Sequence, residues 1–128
     1  MSPRQAQLLL DAFQTPVQAA SHIRSFTVGR SFEEYPTDVY LHSAVERQLE
    51  IVGEALDKAC VSEAASPEGI RHLGEWIGLR NRIAHAYDRL NHQIVWDTIV
   101  GDIPELFHDI ARLLGDAPPL PGRHPVGK

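Results

Sequence analysis

The sequence predicts an all-α fold, an up-and-down bundle of about four to five helices. Three observations predict it. Apolar residues recur at spacings of three and four over long stretches, the signature of helices with one buried face. No stretch sustains the alternation of a strand. Proline and glycine fall at intervals that would separate helices joined by short connections. The composition suits one packed domain: 128 residues, 43% hydrophobic and 23% charged. A chain of this size buries roughly two-thirds of its unfolded surface, enough for a core without disulfides.

Ser2-Pro3 is a helix start, with Ser as N-cap and Pro at the first helical position. The first helix runs to about Val28 and ends at Gly29, and Pro16 should kink or divide it. Tyr35-Pro36-Thr37 is the next break, with Thr37 as candidate N-cap. A second helix follows to about Val61, striped by Leu41, Val45, Leu49, Val52, Leu56 and Ala59. Ser66-Pro67 opens a third helix running to about Tyr87, open to interruption at Gly74 or Gly78. A fourth spans about Gln93 to Leu114, with Ile99, Ile103, Leu106, Ile110 and Leu113 on one face and Pro104 bending its middle. Gly53, Gly74 and Gly78 each cost about 1 kcal/mol against alanine inside a helix, a cost that close helix approach or a helix break would explain. Residues 1–115 are read as the helical domain. Residues 116–128, with prolines at 118, 119, 121 and 125, are read as a flexible tail.

No apolar run approaches the ~20 residues of a membrane span. Leu8-Leu9-Leu10 lacks the flanks of a signal peptide, so a cytoplasmic protein is expected. The net charge of −5 excludes a general polyanion binder. Positive charge is local: from Arg71 to Arg89 four arginines face only Glu75 and Asp88. The single cysteine, Cys60, excludes an intrachain disulfide and reads as apolar filler.

Chemistry concentrates in Leu79-Arg80-Asn81-Arg82-Ile83-Ala84-His85-Ala86-Tyr87. On a helix, Arg80 shares a face with Trp76, Ile83, Ala84 and Tyr87. A cation in that stripe must be paired, snorkel to an edge or line a cleft. His85 stands about 140° round from Arg80 on a regular helix. The two can meet one ligand only if the helix unwinds here or a second subunit supplies one of them. A buried Arg with a carboxylate partner and a satisfied His is the plain alternative.

The segment resembles the HEPN superfamily. Arg80-x4-His85-x-Tyr87 has the form of the motif in HepT-like toxins. Gly78-Leu79-Arg80-Asn81-Arg82-Ile83-Ala84-His85 and the run Ala44 to Ala55 are similar to that family as well. So are Ser31-Phe32-Glu33-Glu34 and Val95-Trp96, and the likeness extends over roughly residues 7–114. Ala84 and Ala86 depart from it, standing where a branched residue and often a glycine are expected, and Pro16 is unusual.

The resemblance implies a HEPN-like homodimeric bundle whose two motifs face each other across the dimer axis. It implies the toxin of a type VII HEPN/MNT toxin–antitoxin system, a metal-independent endoribonuclease leaving a 2′,3′-cyclic phosphate. In it His85 is the general acid/base and Arg80 holds the scissile phosphate. Asn81 and Arg82 are supporting or RNA-binding residues. Tyr87 is the tyrosine that an MNT-type nucleotidyltransferase antitoxin modifies with AMP, placing phosphate charge beside the motif. No cofactor is expected for this chain, since ATP and Mg belong to the antitoxin. The RNA substrate is mRNA or tRNA.

Glu46, Glu50 and Glu54 lie four apart on the second helix. They form a solvated face, or one of them, Glu54 best, pairs with Arg80 or Arg47 to orient the site. Seven histidines invite a metal site, but His85 and His92 are separated by a turn-like stretch and no His-Glu-x-x-His occurs, so no metal ligands are expected. Trp76 and Trp96 are expected to anchor the core and interfaces. Two other readings compete: a non-catalytic HEPN module that binds a nucleotidyltransferase, and a dimeric scaffold with a structural Arg–His pair.

Overall fold

The computed structural model describes residues 2–61, 69–85 and 90–115. They form a helical bundle: α1 (Pro3–Thr27), α2 (Val39–Val61), α3 (Leu73–Ala84), α4 (His92–Asp97) and α5 (Ile103–Leu114). There is no strand among the described residues. No described helix is long and apolar enough to cross a membrane.

The first helix starts as its sequence dictates. The Ser2 hydroxyl accepts from the Gln5 N–H, and the Gln5 side chain accepts from the Ser2 N–H in return, a complete capping box. Pro16 neither divides nor ends α1. Its ring is buried against the core, and packing along α2 outweighs the one backbone bond it forfeits. Gly29, at φ 74°, supplies the left-handed residue that turns the chain after α1.

Tyr35–Thr37 form a 3₁₀ turn rather than a plain break, and Tyr35 is fully buried. The cap of α2 is Asp38, not Thr37. The Asp38 carboxylate accepts from the Leu41 N–H at 3.0 Å, while the Thr37 hydroxyl turns back to the Glu34 carbonyl. All six expected stripe residues of α2 are buried. This helix packs along both α1 and α3, and α5 closes against α1, where Arg24 lies over the Phe107 ring at 4.6 Å.

The start of α3 differs from expectation. Ser66-Pro67 lies outside the described residues, and the helix begins at Leu73 after His72, which sits at φ 63°. Neither Gly74 nor Gly78 interrupts it; a side chain at either would meet open space. Ahead of α3, Asp109 of α5 is fully buried and accepts from the Arg71 N–H and Arg71 Nε, both at 2.9 Å, and from Arg112 at 3.1 Å. Burial alone would push this carboxyl up. The Arg71 N–H and the two guanidiniums hold it below its ordinary range instead.

The last helix is continuous but not uniform. A π-helical stretch, Thr98–Asp102, joins α4 to α5. It sits just before Pro104, which has no N–H to give and whose ring would press on the carbonyl one turn back. The wider turn relieves that conflict. Trp76 is buried, and Trp96 packs beside Tyr35 and Phe32 at ring distances of 5.3 and 6.3 Å. Cys60 is half buried on α2. The proline-rich stretch 116–128 lies outside the described residues.

Candidate active site

Arg80 owes its position to a glycine. On α2, Gly53 faces α3 so closely that a Cβ there would lie 2.6 Å from the Arg80 Cβ and 2.8 Å from the Trp76 carbonyl oxygen. The glycine is what lets the two helices approach. The Arg80 stem is thereby pressed against α2, and its guanidinium reaches Asp57 with Nη2 3.4 Å from Oδ2. The side chain is only 25% exposed, and its Nε is buried with no partner among the described residues. Of the fates open to a cation in this stripe, pairing is the one observed.

The partner of Arg80 is not Glu54. Asp57 lies one turn beyond Gly53, on the face of α2 that meets α3, whereas Glu54 is a residue round the helix. Glu54 is exposed, 3.8 Å from Lys58. Glu50 is the carboxylate that reaches Arg47, at 3.4 Å, and Glu46 turns to His42.

His85 has a different setting. The helix ends at Ala84, so His85 is its C-cap, at φ −115° and ψ 15°, with its N–H donating to the Asn81 carbonyl at 3.1 Å. Its N–H still makes the helical i→i−4 bond, so the numbering that sets it about 140° from Arg80 holds to this residue, and the two side chains leave the helix on different sides. The His85 side chain is exposed and lines a cleft of about 570 Å³ between the end of α3 and the start of α4. Asn81, Arg82 and Asn91 line the same cleft, with Leu79 and Ile94 beneath. The volume falls in the range of about 300–1,000 Å³ usual for small-ligand sites. The Asn91 side chain is fixed, because it caps α4 by accepting from Gln93 and Ile94 N–H groups. A neighbouring cleft of about 280 Å³ shares Leu79, Arg82 and Ile94 with it and runs to His72 and Asp102.

Three of the expected residues, Asn81, Arg82 and His85, are thus brought together, while Arg80 is held on the α2 side and does not line that cleft. Tyr87 lies outside the described residues, as do Ala86, Asp88 and Arg89 of the basic segment. The cleft can offer an exposed imidazole for proton transfer beside a guanidinium and two amides. Two features escaped the sequence reading. Asp57 was discoverable as the acidic residue one turn after the helix-contact glycine. A cluster of Tyr35, His42, Glu46 and His92 carried a signal in the i, i+4 spacing of His42 and Glu46.

The family model described as "Ribonuclease HepT-like" matches residues 17–113. A protein of Caldanaerobacter subterraneus subsp. tengcongensis named as a "Putative RNase" is 36% identical over 86 residues, 67% of this chain and 76% of the relative. A "Putative RNase" of Methanocaldococcus jannaschii is 29% identical over 100 residues, 73% of this chain and 77% of the relative. A "Probable ribonuclease HepT" of Thermococcus cleftensis is 29% identical over 102 residues, 75% of this chain and 86% of the relative. No solved structure matches the chain. The chain belongs to the HepT-like ribonuclease family.

Proposed function

We propose that this protein is an endoribonuclease of the HEPN type, acting as the toxin of a type VII HEPN/MNT toxin–antitoxin pair in the cytoplasm. The observation that carries the reading is the place of His85, exposed at the C-cap of α3 on an open cleft shared with Asn81 and Arg82, in a chain of the HepT-like family.

The chemistry is a transesterification. The ribose 2′-oxygen attacks the adjacent phosphorus, its proton passes to a base, the bond from phosphorus to the 5′-oxygen breaks, and that oxygen takes a proton from an acid. A 2′,3′-cyclic phosphate and a 5′-hydroxyl remain. Imidazole suits both proton transfers near neutral pH. Charge grows on the phosphate oxygens in the transition state, where a guanidinium stabilises it. No metal enters these steps. The separation of Arg80 from the cleft of its own His85 supports a homodimer in which Arg80 of one subunit serves the phosphate beside His85 of the other. Two facing His85 side chains would also supply a base and an acid at once.

Regulation follows from Tyr87. An MNT-type nucleotidyltransferase, with its own ATP and Mg, joins the tyrosine oxygen to the α-phosphorus of ATP and releases pyrophosphate. The added phosphate competes with RNA for the motif arginines.

The test is cleavage of total RNA and tRNA by the purified chain in excess EDTA, beside Arg80→Ala and His85→Ala, with intact mass checked for an AMP adduct. Cutting that both substitutions abolish supports the reading. A folded, unmodified dimer that cuts neither RNA sinks it in favour of a binding module for the nucleotidyltransferase. A chain that sediments as a monomer at micromolar concentration sinks the composite site.

A further inference from the structure

Away from the cleft, three chain segments bring nitrogen and oxygen donors to one place. The 3₁₀ turn supplies Tyr35, α2 supplies His42 and Glu46, and the first turn of α4 supplies His92. The two imidazoles lie 4.6 Å apart between centroids, inclined at 45°. The Tyr35 ring stands edge-on to both, at 6.1 Å from His42 and 5.6 Å from His92.

The cluster is unsatisfied as it stands. His42 Nδ1, His92 Nδ1 and the Tyr35 hydroxyl are all buried, and none has a hydrogen-bond partner among the described residues. Buried polar atoms without partners are costly, and three on neighbouring rings call for an explanation. Protonating His42 explains little of it. His42 Nδ1 lies 3.4 Å from Glu46 Oε2 but is not aligned for a hydrogen bond, and His92 would remain unpartnered.

A cation explains more. One donor atom from each of His42, Glu46 and His92 lies within 4.8 Å of the other two. Tetrahedral zinc with bonds of about 2.0–2.1 Å sets its ligands about 3.3 Å apart. The His42–Glu46 pair is already at that spacing, and modest side-chain rotation would bring His92 to it. Two histidines and a carboxylate, with water in the fourth position, are a donor set for a borderline divalent metal rather than for Ca or Mg, which take oxygen ligands.

We propose that His42, Glu46 and His92 form a binding site for one divalent transition metal of the zinc class, tying α4 to α2 and the 3₁₀ turn. His92 directly follows Asn91, which lines the cleft, so the metal would also steady that wall. The inference does not rest on the ribonuclease reading.

The test uses the full chain, freed of metal by chelator and desalted, then titrated with zinc and with cobalt(II). One zinc per chain is expected, with the visible absorption of tetrahedral cobalt. The thermal midpoint should rise by several degrees at about a hundredfold excess of zinc over its Kd. His92→Ala and Glu46→Gln should each weaken zinc at least about tenfold, and His108→Ala, on exposed α5 surface, should leave it unchanged. Glu46→Gln keeps the side-chain volume and decides the matter should His92→Ala not fold. A folded wild-type chain that takes up no zinc at tens of micromolar overturns the proposal, as does unaltered binding in either ligand variant.

Discussion

At its start α3 is tied down. The residues leading into it are fastened to α5 through Asp109, which holds the Arg71 N–H, the Arg71 side chain and Arg112. Its middle is pressed against α2 at Gly53, with Arg80 drawn to Asp57. At its other end no comparable side-chain tie holds the helix among the described residues. His85 is exposed, its N–H bonds back to the last turn, and its side chain lines the cleft. The difference teaches how the motif divides its labour. Arg80 is a residue the fold needs, so changing it disturbs packing and charge together. His85 is a residue the fold hardly uses, so its reactivity can be judged without loss of structure as a confounder.

That division makes the two motif residues separable by experiment. His85→Ala should lower RNA cleavage by about a thousandfold, within the span expected for losing a general acid/base. Thermal unfolding should leave its midpoint within about a degree of wild type, because an exposed side chain is being shortened. A large loss of stability would show that His85 is not the free end described above. Arg80→Ala should cost about a hundredfold in cleavage and should also lower the midpoint by several degrees, as Asp57 loses its partner and the α2–α3 seam loses the arginine stem. Equal thermal midpoints for the two variants would break the comparison.

The sequence carried most of the bundle because the apolar stripe of α2 and the capping box at Ser2 are local statements of a helix's buried face and its start. It did not carry the end of α3. Nothing in Ile83-Ala84-His85 marks a stop, and the stripe permits the helix to run on to Tyr87. The described helix ends at Ala84, with His85 as its cap and on the rim of the cleft. Pro16 and Gly78 misled in the opposite sense. Both are poor helix residues by propensity, yet packing along α2 keeps α1 whole, and α3 runs through Gly78 unbroken. Within the site, Asn81, Arg82 and His85 could be named from the motif, but the partner of Arg80 could not. Choosing Asp57 over Glu54 depends on which face of α2 meets α3, and Gly53 settles that through a contact between residues far apart in sequence.

The fastened start of α3 can be loosened by protons. Asp109 has its carboxyl held below the ordinary 3.8 by the Arg71 N–H and two guanidiniums, against burial acting the other way. A carboxylate with a lowered folded value stabilises the fold above its unfolded value and loses that contribution as pH falls through the depressed one. Urea unfolding should therefore show wild-type stability declining below about pH 4, with Asp109→Asn flatter there. At neutral pH the Asn variant should be about 2 kcal/mol less stable, the worth of charge-assisted bonds to a buried group. Cleavage per folded molecule should hardly change, since His85 lies at the other end. A shift in cleavage as large as that in stability would mean the two ends are coupled.

The smallest effect tests the seam between those ends. Gly53→Ala gains about 1 kcal/mol of helix propensity, yet the new methyl would sit 2.6 Å from the Arg80 Cβ and 2.8 Å from a backbone oxygen. A backbone oxygen cannot swing aside as a side-chain tip can, so α2 and α3 must separate by several tenths of an ångström, at a cost of about 1–3 kcal/mol. The two terms leave a net loss of about 1 kcal/mol in urea unfolding. Because the arginine stem is what the methyl displaces, cleavage should fall in step with the movement of Arg80, and the NMR chemical shifts of the exposed His85 ring should stay as in wild type. A Gly53→Ala chain at least as stable as wild type would show that α2 and α3 are not held at the distance that fixes Arg80.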